Sequence, residues 1–281
     1  MNRSFFSKGY SCRGASHILE DKPCQDAYSL RETETALVLA VSDGHGGESY
    51  DLSRYGAEIA VASALDAAES VSGKCSGEEL YERVRADLPL EITSLWRSRV
   101  EADISEREPE FFAEKRGADK MPLVYERYGA TLVVVILRED GIFCAQLGDG
   151  DILFLDEKGS VTRPITDFDE PMGVSTYSLV SSKSEQLWRF ARFIPGSAPY
   201  MIFLSSDGLV NCFDYGTDEQ AEDQFHRLPK SLFQKLKEAH QTDEMERVSS
   251  LLPDILERYT QDGSGDDITV LFSFAGGNDV K

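Results

Sequence analysis

The sequence is poor in basic residues. Lys and Arg number 29 against 50 Asp and Glu, which gives a formal net charge of −21. A chain this acidic repels a nucleic-acid backbone or an anionic membrane surface unless a local basic patch overrides the field. The sequence contains no such patch. We therefore expect neither nucleic acid nor a membrane among its partners.

Cysteine is also scarce, and long apolar runs are missing. The five cysteines are an odd number with no CxxC spacing. This indicates neither a disulfide framework nor a zinc site, and it fits a reducing compartment. No apolar run approaches the roughly 18 residues that span a bilayer, and the N-terminus lacks the apolar core of a signal peptide. We therefore predict a cytoplasmic protein.

What remains is an ordinary globular composition. Hydrophobic residues make up 41% of the 281 and charged residues 28%, which argues against wholesale disorder. No internal repeat and no linker divides the chain. We predict one domain over residues 1–281, with a helical or irregular insert over about 71–128 and a short C-terminal tail.

Four apolar runs carry an aspartate beside glycine at one end. They contain Asp43 in ALVLAVSDGHGG, Asp149 in LGDGD, Asp207 in LSSDGL and Asp266 in GDDITVLF. One Asp-Gly pair is typical of a turn. Four of them at strand edges indicate carboxylates converging on hard cations, because Mg²⁺ and Mn²⁺ prefer oxygen ligands and water.

The residues around these aspartates suggest further roles. Next to Asp43, His45 is a candidate proton donor near neutral pH, and the glycines allow a main-chain carbonyl to face a cation. Asp26 is a candidate carboxylate near the metal, and His17 is either a phosphate contact or a surface histidine. We expect Asp151 and Asp267 to be turn or surface residues, because a neighbour at each place already fills the ligand role.

Periodicity predicts the elements between the motifs. Helical spacing covers 48–68, 78–100 with a break at Pro89, 221–225, 230–239 and 244–259. Strands are predicted at 36–42, 131–137, 142–147, 152–155, 186–194, 201–205 and 268–274, and the short separations within 131–155 predict antiparallel hairpins. We interpret 101–128 as irregular and 162–184 as a long loop.

The ordered set of motifs resembles the PPM, or PP2C-like, family of metal-dependent protein serine/threonine phosphatases, in particular its bacterial branch. The matching motifs are Gln25-Asp26, AVSDGHGG, YGATL, LGDGD, LSSDGL and GDDITVLF, and they span nearly the whole chain. The resemblance implies an α+β fold, a four-layer α-β-β-α sandwich in which helices flank two antiparallel sheets. It also implies a centre of two Mn²⁺ or Mg²⁺ ions at one end.

The resemblance implies these roles motif by motif. Asp43 would bridge both ions and the Gly44 carbonyl would bind one of them, while Asp207 and Asp266 would hold the other. Asp149 is similar to the ligand of a weaker third ion. Asp26 is similar to an acidic residue that contacts a metal through water.

This chain departs from the family pattern at two positions. Gln25 stands where many relatives have Glu, so a neutral oxygen replaces one direct ligand. Where relatives carry a phosphate-binding Arg, simple counting gives Asp21, and an alignment with a short insertion gives His17. We therefore take His17 as the phosphate contact, with Arg13 as the alternative.

The resulting hypothesis is hydrolysis of phosphoserine and phosphothreonine in proteins by a water that bridges two metal ions. His45 would protonate the leaving oxygen. The partners would be a phosphoprotein substrate and a cognate kinase, and the chain would be a monomer. Two alternatives stay open: a phosphatase-like binding module with weak or no turnover, and a phosphatase of small molecules.

Overall fold

A computed structural model describes residues 5–73, 75–117, 119–166, 176–213 and 218–277. The predicted loop 162–184 and the predicted C-terminal tail lie partly outside these residues. Within them, no helix is both long and apolar enough to cross a membrane.

The strands form two five-stranded sheets in which every pairing is antiparallel. The first sheet has the order β1-β10-β9-β6-β7 and the second the order β2-β3-β4-β5-β8. The strands are β1 (Phe5–Cys12), β2 (Ala27–Glu32), β3 (Leu37–Ser42), β4 (Leu132–Arg138), β5 (Gly141–Leu147), β6 (Asp151–Leu155), β7 (Val161–Thr162), β8 (Arg189–Phe193), β9 (Tyr200–Ser205) and β10 (Ile268–Ala275).

Helices cover the outer face of each sheet. They are α1 (Ala15–Leu19), α2 (Ser53–Ser72), α3 (Gly77–Ala86), α4 (Leu88–Arg107), α5 (Pro109–Lys115), α6 (Met121–Glu126), α7 (Asp207–Val210), α8 (Asp218–Phe225), α9 (Arg227–His240), α10 (Met245–Ser249) and α11 (Leu252–Asp262). Single turns of 3₁₀ helix occupy Glu48–Tyr50, Ser184–Gln186 and Asn211–Phe213. The predicted four-layer sandwich is confirmed.

Three apolar clusters hold the layers together. Alternate residues of β3 belong to two different clusters. Leu39 lies in the cluster between the two sheets, whereas Val38 and Ala40 lie in the cluster with α2 and α4. A third cluster packs α9 and α11 against β9 and β10. Because both faces of each sheet are buried, the central strands are continuous apolar runs instead of alternating ones.

The connection between β5 and β6 differs from the prediction. The hairpin of β4 and β5 is confirmed, but β6 does not pair with β5 and joins β9 in the other sheet. The chain bends at Gly148, whose φ of +97° suits glycine, and crosses between the sheets within three residues. A hairpin inferred from a short separation was therefore wrong here, and the crossing places Asp149 where both sheets end.

Two helical regions also differ from the prediction. Residues 101–128 are largely helical, because α4 continues its buried stripe from Trp96 through Val100 to Ile104 and two short helices follow. The region 244–259 divides into α10 and α11, since Pro253 lies in the first turn of α11. The predicted break at Pro89 is confirmed: this proline lies in the first turn of α4.

Candidate active site

A cavity of about 370 Å³ lies at the end of the sandwich where β3, β5 and β9 finish and β10 begins. All four aspartates of the strand-edge motifs line it, together with His17, Gln25 and His45. Among the described residues, its lining is Ser16, His17, Glu20, Lys22, Gln25, Asp43, Gly44, His45, Gly46, Thr131, Asp149, Thr176, Asp207, Ser264, Asp266 and Asp267. Residues from both ends of the chain therefore meet at one place.

Asp43 is held by the strand beside it. Its backbone N–H donates to Oγ1 of Thr131 over 3.2 Å, and its carbonyl accepts from the Thr131 N–H over 2.8 Å. The N–H of His45 donates to the Gly129 carbonyl over 3.0 Å. A Cβ at Gly129 would lie 2.6 Å from the His45 ring, so the YGATL motif needs glycine where it passes this ring. These hydrogen bonds fix the backbone of Asp43 and His45 and therefore the position from which the Asp43 side chain extends.

Asp207 and Asp266 approach from the other sheet. Asp207 opens α7 directly after β9, and its Oδ2 accepts from Nδ2 of Asn211 over 2.9 Å. A Cβ on Gly208 would lie 1.9 Å from the Asp267 carbonyl oxygen. The chain segments of the LSSDGL and GDDITVLF motifs can therefore come this close only with glycine at 208.

The carboxylates of the cavity raise one another's pKa. Burial is the largest cause of the raised pKa of Asp43, and the charges of Asp26 and Asp207 add to it. Burial likewise raises the pKa of Asp207, and it raises the pKa of Asp26 to about 8, although a hydrogen bond from Ser206 opposes the shift. Buried carboxylates that repel one another bind positive charge favourably, because a cation removes both the repulsion and part of the desolvation penalty.

The donor atoms fit a hard divalent cation. Gln25 Oε1, Asp26 Oδ1 and Asp207 Oδ1 are buried oxygens without a hydrogen-bond partner among the described residues. In the same part of the chain, no group of three or more His, Cys, Asp or Glu side chains is arranged so that it could hold a metal ion. These observations are compatible, because Mg²⁺-type ions keep several water ligands and need few protein ligands each.

Three further predicted residues lie at or just behind the cavity wall. Asp149 lines it from the turn between β5 and β6, and its Oδ2 accepts from Oγ1 of Thr176 over 2.8 Å. The Nε2 of Gln25 donates hydrogen bonds to the His45 carbonyl and to Oγ of Ser53. Its oxygen, Oε1, makes no hydrogen bond among the described residues and is available as a metal ligand. Asp26 lies behind the lining, and its Oδ2 accepts from Oγ of Ser206 over 2.7 Å.

The two candidates for phosphate contact occupy different places. His17 lines the cavity, with Nδ1 3.0 Å from Oδ2 of Asp267 and Nε2 3.7 Å from Oδ1 of Asp266. Arg13 is outside the lining; its Nη2 donates to the His17 carbonyl over 3.0 Å and lies 3.6 Å from Oδ1 of Asp21. His17 thus lines the cavity, whereas Arg13 lies outside it and contacts the backbone of α1.

Asp151 and Asp267 are not surface residues as predicted, although Asp267 does lie in the loop before β10. Their exposed fractions are 5% and 3%. Asp267 accepts from the backbone N–H groups of Gly14 and Gln25, and Asp151 pairs with Nε of Arg163 over 2.7 Å. Their partners are distant in sequence, so the local pattern gave no sign of these bonds.

Four further lining residues were not predicted as part of the site: Glu20, Lys22, Thr131 and Thr176.

Comparison with known proteins decides the family. A family model described as protein phosphatase 2C matches residues 13–257. The chain belongs to the protein phosphatase 2C family. The predicted resemblance is therefore confirmed, and so is the enzyme class: the protein is a serine/threonine protein phosphatase.

Individual relatives of this protein phosphatase 2C member are distant. Serine/threonine-protein phosphatase 3 of Escherichia coli (strain K12) is 25% identical over 247 residues, covering 79% of this chain and 87% of that protein. The structure of PppA, a regulatory component of T6SS in Pseudomonas aeruginosa, has a TM-score of 0.57 at 19% identity and covers 97% and 99% of the two chains. The catalytic domain of the phosphatase PstP in complex with two manganese ions has a TM-score of 0.52 at 18% identity, covering 97% and 98%. At such identities the structures show the shared fold alone.

Proposed function

We propose that this phosphatase removes phosphate from phosphoserine and phosphothreonine in proteins with two Mn²⁺ or Mg²⁺ ions held in the 370 Å³ cavity. The observation that carries the proposal is the meeting of Asp43, Asp149, Asp207 and Asp266 at one cavity, although each follows or precedes a different strand. The relative PstP is known with two manganese ions, which supports the number and kind of ion.

The oxygen donors of the cavity divide into two groups. Asp43, Asp207, Asp266 and the Gly44 carbonyl are the proposed ligands of the two ions, and Asp149 is the proposed ligand of a third. Gln25 provides a further buried oxygen in the cavity wall, and Asp26 provides one behind it. When bound, two divalent ions would make a water molecule more acidic, and so a better nucleophile, and would neutralise charge on the phosphoryl oxygens.

His45 is proposed to protonate the leaving oxygen of the substrate. Its ring stands edge-on to the Tyr50 ring at 4.7 Å between centroids, and its carbonyl accepts from Nε2 of Gln25. Burial lowers the pKa of His45, which makes its protonated form a stronger acid. His17 is proposed to contact the phosphate, since it lines the cavity and Arg13 does not.

The proposed substrate is a phosphoprotein, and a kinase would supply it. The chain is proposed to act as a monomer. The buried carboxylates favour turnover over a binding-only role, because a module without catalysis has no need to hold mutually repelling acids in one cavity.

Hydrolysis of a phosphothreonine peptide and of p-nitrophenyl phosphate tests the proposal. Both are assayed with Mn²⁺, with Mg²⁺ and with a chelator, in the parent protein, in Asp207→Asn and in Asp262→Asn, an exposed control on α11. We expect turnover to require the metal and to fall about a hundredfold or more in Asp207→Asn only. Activity that survives chelation would exclude the mechanism. Activity on the nitrophenyl ester alone would favour a small-molecule substrate.

A further inference from the structure

The wall of the cavity contains very little positive charge. Six carboxylate side chains line it, from Glu20, Asp43, Asp149, Asp207, Asp266 and Asp267, and Lys22 is the only Lys or Arg among the described lining residues. Among the described lining residues, Lys22 is therefore the one Lys or Arg that can meet a phosphate here.

The backbone holds Lys22 at this wall. Its N–H donates to the His17 carbonyl over 2.8 Å and closes the turn after α1. Asp21, directly before it, has a φ of +54°, an uncommon conformation for a residue other than glycine. Arg13 donates to the same His17 carbonyl and lies near the Asp21 carboxylate. Arg13 thus supports the turn from which Lys22 extends.

The ammonium group of Lys22 is paired with a partner that a phosphate can replace. Its Nζ lies 2.6 Å from Oε2 of Glu20, and the exposed fractions of the two side chains are 45% and 57%. An ion pair this exposed is held weakly. A phosphoryl group carries more negative charge than one carboxylate and offers three acceptor oxygens. Lys22 can therefore exchange Glu20 for an incoming phosphate without losing an ionic partner.

We propose that Lys22 binds the phosphoryl oxygens of the substrate, with Glu20 as the carboxylate that pairs with it when no phosphate is bound. The proposal rests on the proposed phosphatase function and adds a residue to it. Lys22 would act beside His17, whose Nδ1 and Nε2 lie 3.0 Å and 3.7 Å from carboxylate oxygens of Asp267 and Asp266, whereas Arg13 is outside the cavity.

The test measures phosphate affinity separately from turnover. The variants are Lys22→Met, Lys22→Arg, Glu20→Gln and Lys235→Met, the last an exposed control on α9. For each, calorimetry gives the dissociation constants of Mn²⁺ and, in the Mn²⁺-loaded protein, of inorganic phosphate. Steady-state assays give KM and kcat for p-nitrophenyl phosphate.

In Lys22→Met we expect phosphate affinity to fall and KM to rise by about five- to thirtyfold, with kcat and Mn²⁺ affinity changed by less than about threefold. Lys22→Arg should restore phosphate affinity. Glu20→Gln should bind phosphate more tightly than the parent, because the competing carboxylate is gone. Lys235→Met should match the parent.

Unchanged phosphate affinity in Lys22→Met would overturn the proposal, and so would a loss confined to Mn²⁺ affinity. The phosphatase function and the role of Lys22 can fail separately. An inactive parent whose phosphate binding still depends on Lys22 would refute the function alone. An active parent, together with Lys22 variants whose phosphate affinity and KM equal those of the parent, would refute the role of Lys22 alone.

Discussion

The backbone N–H of Gln25 donates a 2.6 Å hydrogen bond to Oδ2 of Asp267, a residue 242 positions later in the chain. The other oxygen of this carboxylate accepts from the Gly14 N–H, also over 2.6 Å. One buried side chain thereby ties the segment that carries His17, Lys22 and Gln25 to the start of β10. The cavity depends on this bond, because its wall is built from both ends of the chain.

Asp267→Asn is expected to destabilise the protein by about 2–4 kcal/mol. An asparagine side chain has one acceptor oxygen, so its amide group would face one of the two buried N–H groups and leave it unpaired. Thermal unfolding should show a fall in Tm of roughly 5–15 °C. The exposed Asp262→Asn serves as the control and should unfold like the parent. An unchanged Tm in Asp267→Asn would show that these bonds contribute nothing.

Gly208→Ala is expected to disrupt the site as well as the fold. The new methyl group would meet the Asp267 carbonyl oxygen at 1.9 Å, a distance that only movement of α7 or of the loop before β10 can relieve. Asp207 and Asp266 would separate, so Mn²⁺ affinity measured by calorimetry should fall at least about tenfold. We also expect a loss of stability of about 3 kcal/mol or more.

Gly196→Ala is the matched control for this substitution. No heavy atom lies within 4 Å of a Cβ built at Gly196. Its stability and Mn²⁺ affinity should equal those of the parent. If Gly208→Ala also behaves like the parent, the close approach between α7 and β10 is not required for the site.

The sequence predicted the parts of the site whose signals are local. Asp43, Asp149 and Asp207 each stand beside glycine at the end of an apolar run, and that pattern is visible without any partner. The roles of Asp151 and Asp267 depend on partners 12 and more than 240 positions away, so the same pattern suggested only turns. Lys22 lies in none of the sequence motifs. Its place in the site could be found only from the structure, in which the turn after α1 lines the cavity.

The fold was predictable to a similar degree. Runs of apolar residues gave most of the strands and the long helices, because burial on both sheet faces leaves a continuous pattern. Pairing was harder to predict. The three residues between β5 and β6 are short enough for a hairpin, yet Asp151 pairs with Ser205 of β9 in the other sheet. Chain separation alone cannot distinguish a hairpin from a crossing between two sheets.

His45→Gln is expected to affect two substrates unequally. A seryl or threonyl oxygen is a poor leaving group and needs a proton, whereas nitrophenolate leaves readily without one. We expect kcat on a phosphothreonine peptide to fall by about a hundredfold and kcat on p-nitrophenyl phosphate by less than about fivefold. Equal losses on both substrates would instead assign His45 to positioning of the Asp43 segment. Mn²⁺ affinity, measured in parallel, should stay within about threefold of the parent.

His226→Gln is expected to reduce the sensitivity of the fold to acid. His226 precedes α9, where a positive charge opposes the helix dipole, and it lies 3.1 Å from Glu222, which also pairs with Arg163. Burial is the largest cause of its lowered pKa; the positive charges of Arg163 and Lys230 lower it further, and the negative charges of Glu222 and Asp223 oppose them.

Because the folded pKa of His226 lies below the unfolded value of 6.5, the unfolded chain binds more protons in this range. Stability is therefore retained above about pH 6.5 and declines as pH falls through the folded pKa. Urea unfolding of the parent and of His226→Gln at about pH 7.5 and about pH 5.5 checks this. We expect the parent to lose more stability between the two pH values than the variant, which has no ring to protonate. Equal losses would show that other groups govern the response to acid.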